Sequence, residues 1–181
     1  MNIIEIIAVL FSLISVILTV KNNIWCWSTG IIGIIFYAII FYQNQLWGNM
    51  SLQILFISQS MLGWYNWNRP SKYPTKWLQK KNRMLIFSTT SALAILVYIF
   101  TKGLGGKMPY FDGLTTSLSI MAMMLMAYRK IDNWILWIIV DIIFIWFFYT
   151  NALYLSSVVY FIFLLLSISG LLQWKKSIKV D

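Results

Sequence analysis

The 181-residue sequence contains no histidine, one cysteine (Cys26) and 3 prolines, and only 10% of its residues are charged. Each shortage excludes something. Without histidine and with a lone thiol, imidazole acid–base catalysis, Cys–His nucleophile pairs, Cys/His zinc sites and internal disulfides are all ruled out. No Gly-x-x-x-x-Gly-Lys-Ser/Thr loop occurs, so the chain holds no nucleotide-driven motor. The shortage of charge says most. A soluble domain carries about 25% charged residues, and a chain that is 60% hydrophobic lacks the polar groups to cover a surface facing water. Lipid is the solvent that fits. The net charge of +9 comes from Lys and Arg set in short connections between apolar runs, a membrane pattern rather than a nucleic-acid footprint. Nucleic acid is therefore excluded as a partner, and no cofactor is called for.

Runs of roughly 20 apolar residues mark seven expected transmembrane helices, at about 3–20, 24–42, 46–67, 84–101, 111–128, 133–150 and 152–174. The first does not read as a cleaved leader, because it lacks a basic start and a small-residue cleavage site and carries Glu5. Short connections make neighbouring spans antiparallel hairpins. The one long connection, Asn68 to Arg83, contains Pro70 and Pro74, and no proline is expected inside a span. Twelve of the 14 basic residues (Lys21; Arg69, Lys72, Lys76, Lys80, Lys81, Arg83; Arg129, Lys130; Lys175, Lys176, Lys179) follow spans 1, 3, 5 and 7, leaving Lys102 and Lys107 opposite. The positive-inside rule then expects the N-terminus outside and the C-terminus in the cytoplasm.

Sliding the chain against itself by 107 residues aligns Trp27 with Trp134, Asn44 with Asn151, Ser60 with Ser167, Gly63 with Gly170 and Trp67 with Trp174, and pairs Glu5 with Asp112. Aliphatic matches alone would be cheap in lipid; matches at Trp, Asn and Gly are not. The expected fold class is thus an all-α integral membrane protein. Residues 1–67 and 111–174 form two parallel three-helix repeats, residues 68–110 a basic loop and linker helix 4, and residues 175–181 a tail. Parallel repeats of this kind place a substrate site near the midplane between them. Chance likeness of two hairpin bundles is the competing explanation.

The stretch Asp132-Asn-Trp-Ile-Leu-Trp-Ile-Ile-Val-Asp141 sets Trp134, Trp137 and Asp141 at i, i+3 and i+7, one helical face. A carboxylate deep in a span costs a few kcal/mol or more, so it is expected to face a bundle interior or a wet cavity. The repeat partners of Trp137 and Asp141 are Gly30 and Ile34, so the acid and one indole belong to the second unit alone. Span 3 carries Asn49, Gln53, Ser60 and Gly63 on one face, span 7 carries Ser156, Tyr160, Ser167 and Gly170, and span 5 carries Thr115, Thr116, Ser117 and Ser119. Aromatics beside an acid suit a flat cation, through stacking and charge neutralisation. Plainer roles compete. Interfacial anchoring accounts for most of Trp25, Trp27, Trp64, Trp67, Trp134 and Trp174. Asn49 and Gln53 serve equally as interhelical hydrogen-bond partners. Asp141 could carry a coupling proton instead of touching a ligand. A membrane-embedded enzyme would need more acids or a nucleophile than this chain offers.

Two motifs, Gln53…Ser60…Gly63-Trp64-Tyr65-Asn66-Trp67 and Trp134-x-x-Trp137-x-x-x-Asp141 preceded by Asp132-Asn133, resemble those of the PnuC family of bacterial nicotinamide riboside transporters. The 3+1+3 layout is also similar, and the resemblance spans nearly the whole chain. It departs at Asp141, where the family pattern commonly has Asn. The resemblance implies facilitated diffusion of a vitamin across the bacterial inner membrane, with trapping by cytoplasmic phosphorylation that feeds NAD synthesis. It also implies an architecture related to the SWEET sugar carriers and association into a homo-oligomer, a trimer being one option. The substrate-binding set it implies is Trp134, Trp137, Asp141, Gln53, Asn49, Tyr160 and Ser60. Nicotinamide riboside and thiamine both offer a cationic aromatic ring to Asp141; neutral riboflavin fits less well.

Overall fold

The computed structural model describes residues 3–43 and 47–178, without the side chains at 47–49 and 51. These residues form seven helices, α1 (Ile3–Val20), α2 (Cys26–Gln43), α3 (Trp47–Trp67), α4 (Lys80–Gly103), α5 (Pro109–Ala127), α6 (Asp132–Thr150) and α7 (Tyr154–Ser177). Lipid offers the backbone no hydrogen bonds, so a spanning segment must satisfy its own, and a helix does so locally. Six of the helices, all but α3, are long and apolar enough to cross a membrane. Most boundaries shift by a residue or two from expectation, and three of the shifts have a clear cause. Helix α4 begins at Lys80 and α7 runs on to Ser177, because their basic ends continue the helix past the apolar stretch. Helix α5 begins at Pro109, a proline at the first helical position, where its missing N–H would have had no partner anyway.

Six helices close into a ring in the order α1, α2, α3, α5, α6, α7 and back to α1, while α4 lies outside and packs on α5 alone. Positions 107 apart behave alike. Asn22 (φ 56°) and Arg129 (φ 53°) both end a helix in the left-handed conformation. Each turn closes with the same pair of bonds: Asn22 N–H to Thr19 O and Arg129 N–H to Met126 O, both 2.9 Å, then Asn23 N–H to Leu18 O at 2.9 Å and Lys130 N–H to Leu125 O at 2.8 Å. This is the Schellman arrangement, which satisfies the last carbonyls of a helix.

The tryptophans depart most from expectation. Trp27, Trp67, Trp134 and Trp174 are only 1–3% exposed, so they are core residues rather than interfacial anchors; Trp25, 61% exposed, suits the anchoring role. The indoles of Trp27 and Trp67 meet edge-to-face at 5.4 Å, as do those of Trp134 and Trp174, and Trp67 meets Trp174 at 5.7 Å. For two of the four, burial has a hydrogen-bonding reason. Trp67 Nε1 donates to Met126 O and Trp174 Nε1 donates to Thr19 O, both at 3.1 Å, so each indole is a second donor to a helix-end carbonyl that already accepts one bond of its turn. Gly63 and Gly170 make room for these rings: a Cβ at either would overlap the indole of Trp27 or Trp134.

The long connection before α4 is pinned to the turn between α5 and α6. Leu78 N–H donates to Asp132 Oδ2 at 2.7 Å, Arg83 Nε lies 3.2 Å from Asp132 Oδ1, and Lys76 bridges the backbone of Arg129 and Ile131.

Candidate functional site

The ring encloses a cavity of about 250 Å³. Helix α6 contributes Trp134, Trp137 and Asp141 to its wall, α7 contributes Tyr160, Phe163 and Ser167, α1 contributes Ser12, Ser15 and Thr19, and α2 contributes Gly30 and Ile34. Val16 of α1, Phe56 of α3 and Met123 and Met126 of α5 complete the lining. Asp141 is 3% exposed. Its Oδ2 accepts a hydrogen bond from Ser167 Oγ at 2.9 Å. Part of this arrangement comes from helical periodicity: the i, i+3, i+7 spacing turns two indoles and the acid toward the same space. The remainder comes from α7, packed alongside α6 so that Ser167 meets the carboxylate.

The opposite wall carries hydroxyls whose protons are already committed. Ser12 Oγ donates to Ala8 O at 2.9 Å, Ser15 Oγ to Cys26 O at 2.8 Å and Thr19 Oγ1 to Ser15 O at 2.8 Å. Such oxygens keep lone pairs free, so they present acceptors to the cavity. Gly30 stands where symmetry with Trp137 would put an indole, and a Cβ there would come within 3.0 Å of Ser15 Oγ. The Tyr160 ring is held by Phe144 at 4.6 Å, Phe148 at 5.3 Å and Phe163 at 5.8 Å. At the tryptophan end, Trp134 Nε1 is buried with no hydrogen-bond partner among the described residues. Beyond that end, in the turn between α5 and α6, the Arg129 guanidinium lies 4.7 Å over the Trp67 ring, and burial lowers its pKa from the usual arginine value.

The cavity therefore brings together Trp134, Trp137, Asp141 and Tyr160. It does not bring in Ser60, whose buried Oγ donates to Phe56 O of its own helix at 2.8 Å, nor Gln53, half-buried on α3 away from the lining. Asn49 lies outside the described side chains. Ser167 and the α1 hydroxyls were missed as site residues. Ser167 sits on the inward stripe of α7, which hints at it, but nothing in the spacing reports that it meets Asp141. Among the described residues, no group of three or more acids or cysteines could hold a metal.

Chemically, the cavity offers one carboxylate, aromatic faces and hydroxyl acceptors.

Comparison with known proteins identifies the family. The chain is 26% identical over 178 residues to the nicotinamide riboside transporter PnuC of Escherichia coli K12, covering 82% of this chain and 74% of that protein. It is 27% identical over 190 residues to the PnuC of Neisseria mucosa, covering 96% and 72% respectively. It is also 21% identical over 174 residues to the riboflavin/roseoflavin transporter RibM of Streptomyces davaonensis, covering 91% and 81%. A crystal structure of the vitamin B3 transporter PnuC shares the fold, with a TM-score of 0.81 at 24% identity over 97% of this chain and 82% of that one. These relatives are transporters, not enzymes. The family model for the nicotinamide mononucleotide transporter matches residues 2–176, and the chain belongs to that family.

Proposed function

We propose that this chain takes up nicotinamide riboside across the bacterial inner membrane by facilitated diffusion, with phosphorylation on the far side preventing its return. The observation that carries the reading is the carboxylate of Asp141, buried beside Trp137 and Tyr160 at a cavity of about 250 Å³. That space lies just below the roughly 300–1,000 Å³ usual for small-molecule sites, suiting a compact vitamin. The pyridinium ring stacks on Trp137 with Asp141 opposing its charge; Tyr160 and the α1 hydroxyls receive the ribose, and Trp134 floors the site. Gln53, Asn49 and Ser60 enter the proposed set at the α3 side, where a closing movement would bring that helix inward. If all seven helices cross, the termini lie on opposite sides, and the basic residues gathered at one end favour the N-terminus outside and the C-terminus in the cytoplasm.

The 3+1+3 plan supplies the mechanism. Two parallel three-helix units, 1–67 and 111–174, joined through residues 68–110 and followed by the tail 175–181, rock about the shared site and expose it to each side in turn. The matched turns at Asn22 and Arg129 and the reciprocal caps from Trp67 and Trp174 favour this division. Copies of the chain associate in the membrane, a trimer being one arrangement. Calorimetric titration of the purified protein with nicotinamide riboside and thiamine tests the substrate. Saturable binding of nicotinamide riboside that weakens in Asp141→Ala far more than in Ile34→Ala is expected. Absence of binding, or equal small losses in the two variants, refutes the assignment.

A further inference from the structure

We propose that the furrow between α4 and α6, floored by α5, is a binding site for one phospholipid with an anionic headgroup. Helix α4 packs on α5 alone and has no buried residue, so it stands away from α6. The gap has a volume of about 320 Å³ and runs from Leu78, Arg83 and Asp132 at one end to Ala94 and Leu114 at the other. From Arg83 to Ala94 is about 16 Å at 1.5 Å per residue, close to half of a ~30 Å hydrocarbon core. One leaflet's acyl chain matches that length.

The walls suit an acyl chain. They are lined by Ile86, Phe87, Leu118 and Leu136, and the hydroxyls of Thr90 and Ser117 donate to carbonyls of their own helices, Ile86 O at 2.7 Å and Leu114 O at 3.0 Å. The mouth suits a phosphate. Arg83 remains 54% exposed beside Asp132, and Lys130 lies within electrostatic reach of both Asp132 and Lys76. Lys80 and Lys81 stand exposed in the first turn of α4. Arg83 and Lys130 thus flank one carboxylate, with Lys80 and Lys81 adding positive charge in the same first turn of α4, the charge pattern of interhelical pockets for acidic lipids.

Native mass spectrometry of the full chain, purified and stripped of lipid, tests this by titration with phosphatidylglycerol and with phosphatidylcholine of identical acyl chains. One tightly held lipid per chain is expected, with phosphatidylglycerol preferred about tenfold. Ser91→Trp, which fills the furrow, should abolish retention of both lipids. Arg83→Gln combined with Lys80→Gln and Lys81→Gln should level the preference while leaving acyl-driven retention. Equal retention of the two lipids by the unaltered protein overturns the proposal, as does displacement by soluble glycerol phosphate. A Ser91→Trp protein that loses oligomeric mass but keeps its lipid assigns the furrow to a second copy instead, and equally overturns it. If Ser91→Trp fails to fold, the unaltered protein and the glutamine variant still decide.

Discussion

Asp141→Asn isolates the charge from the shape of the site. Asparagine keeps an oxygen for the Ser167 hydroxyl, now 2.9 Å from Asp141 Oδ2, so the wall stays intact while the negative charge goes. A cation held about 4 Å from a carboxylate gains about 4 kcal/mol at an effective dielectric constant of about 20. Part of that gain offsets the hydration lost by a cavity carboxylate that is 3% exposed. A net loss of about 1.5–3 kcal/mol follows, or roughly 10- to 100-fold in Kd. The control lies in the ligand. Reduced nicotinamide riboside has a neutral dihydropyridine ring on the same sugar, so its affinity should change by less than about threefold, a fraction of one 1.4 kcal/mol decade. Calorimetry with both ligands on both proteins gives the double difference. Equal weakening of the two ligands would refute charge complementarity and leave Asp141 a hydrogen-bonding or structural residue. Uptake into vesicles that stops when the proton gradient is collapsed would instead make Asp141 a coupling group.

Other perturbations follow from packing. Gly30→Val places two methyl groups in the space opposite Trp137 and against Ser15 Oγ; ligand affinity in the calorimetric assay should fall at least about tenfold with the fold retained, the scale of overpacking a fitted site by 1–3 kcal/mol. Gly63→Ala and Gly170→Ala each drive a methyl into an indole, so both should lower the thermal midpoint by a similar amount, at a cost of about 1–3 kcal/mol or more. Asp132→Asn weakens the hold of Arg83 on the long connection but keeps an acceptor for Leu78 N–H. The Arg83 side is half exposed, so a loss of about 0.5–1 kcal/mol is expected, read as a two- to fivefold faster tryptic cut between Arg69 and Lys80.

Much of the helix layout was legible because lipid imposes one rule, self-satisfied backbone over about 20 residues, and the composition obeys it. Asp141, Trp134 and Trp137 were legible for a related reason: a charge inside an apolar run has few places to go, and helical spacing fixes which neighbours accompany it. The tryptophan core was not. Periodicity shows that Trp67 and Trp174 lie near helix ends, and an interfacial ring lies there too; only the tertiary packing shows that their N–H groups cap Met126 and Thr19. The α1 hydroxyls escaped for a similar reason. Ser12, Ser15 and Thr19 look like ordinary small residues until the ring closes and turns them toward Asp141. Polar stripes on one helix say less about where each group bonds. Ser60 shares a face with Gln53 yet bonds within α3, because a serine in lipid can satisfy itself on the preceding turn.

The reciprocal indole caps bear on how the cavity opens. Both lie at the basic end, next to the turns at Asn22 and Arg129, and each ties the third helix of one unit to the first helix of the other. Opening at that end must break both bonds and expose both carbonyls to water. Phenylalanine keeps most of the ring but removes the donor, so in the Trp67→Phe/Trp174→Phe protein the closed state loses one of the two hydrogen bonds at each carbonyl, while the open state hydrates both. At about 1 kcal/mol for each lost bond, the open population rises roughly 30-fold. Cys26, the sole cysteine, is 1% exposed within the same cluster and reports the change without any added label site. Its maleimide labelling should quicken by about the same roughly 30-fold factor, if opening is fast relative to reaction. Trp146→Phe, altering a tryptophan that is 63% exposed, should leave the rate unchanged. Labelling that stays slow in the double variant would mean the two halves do not part where these indoles join them, and the opening would have to lie at the other end.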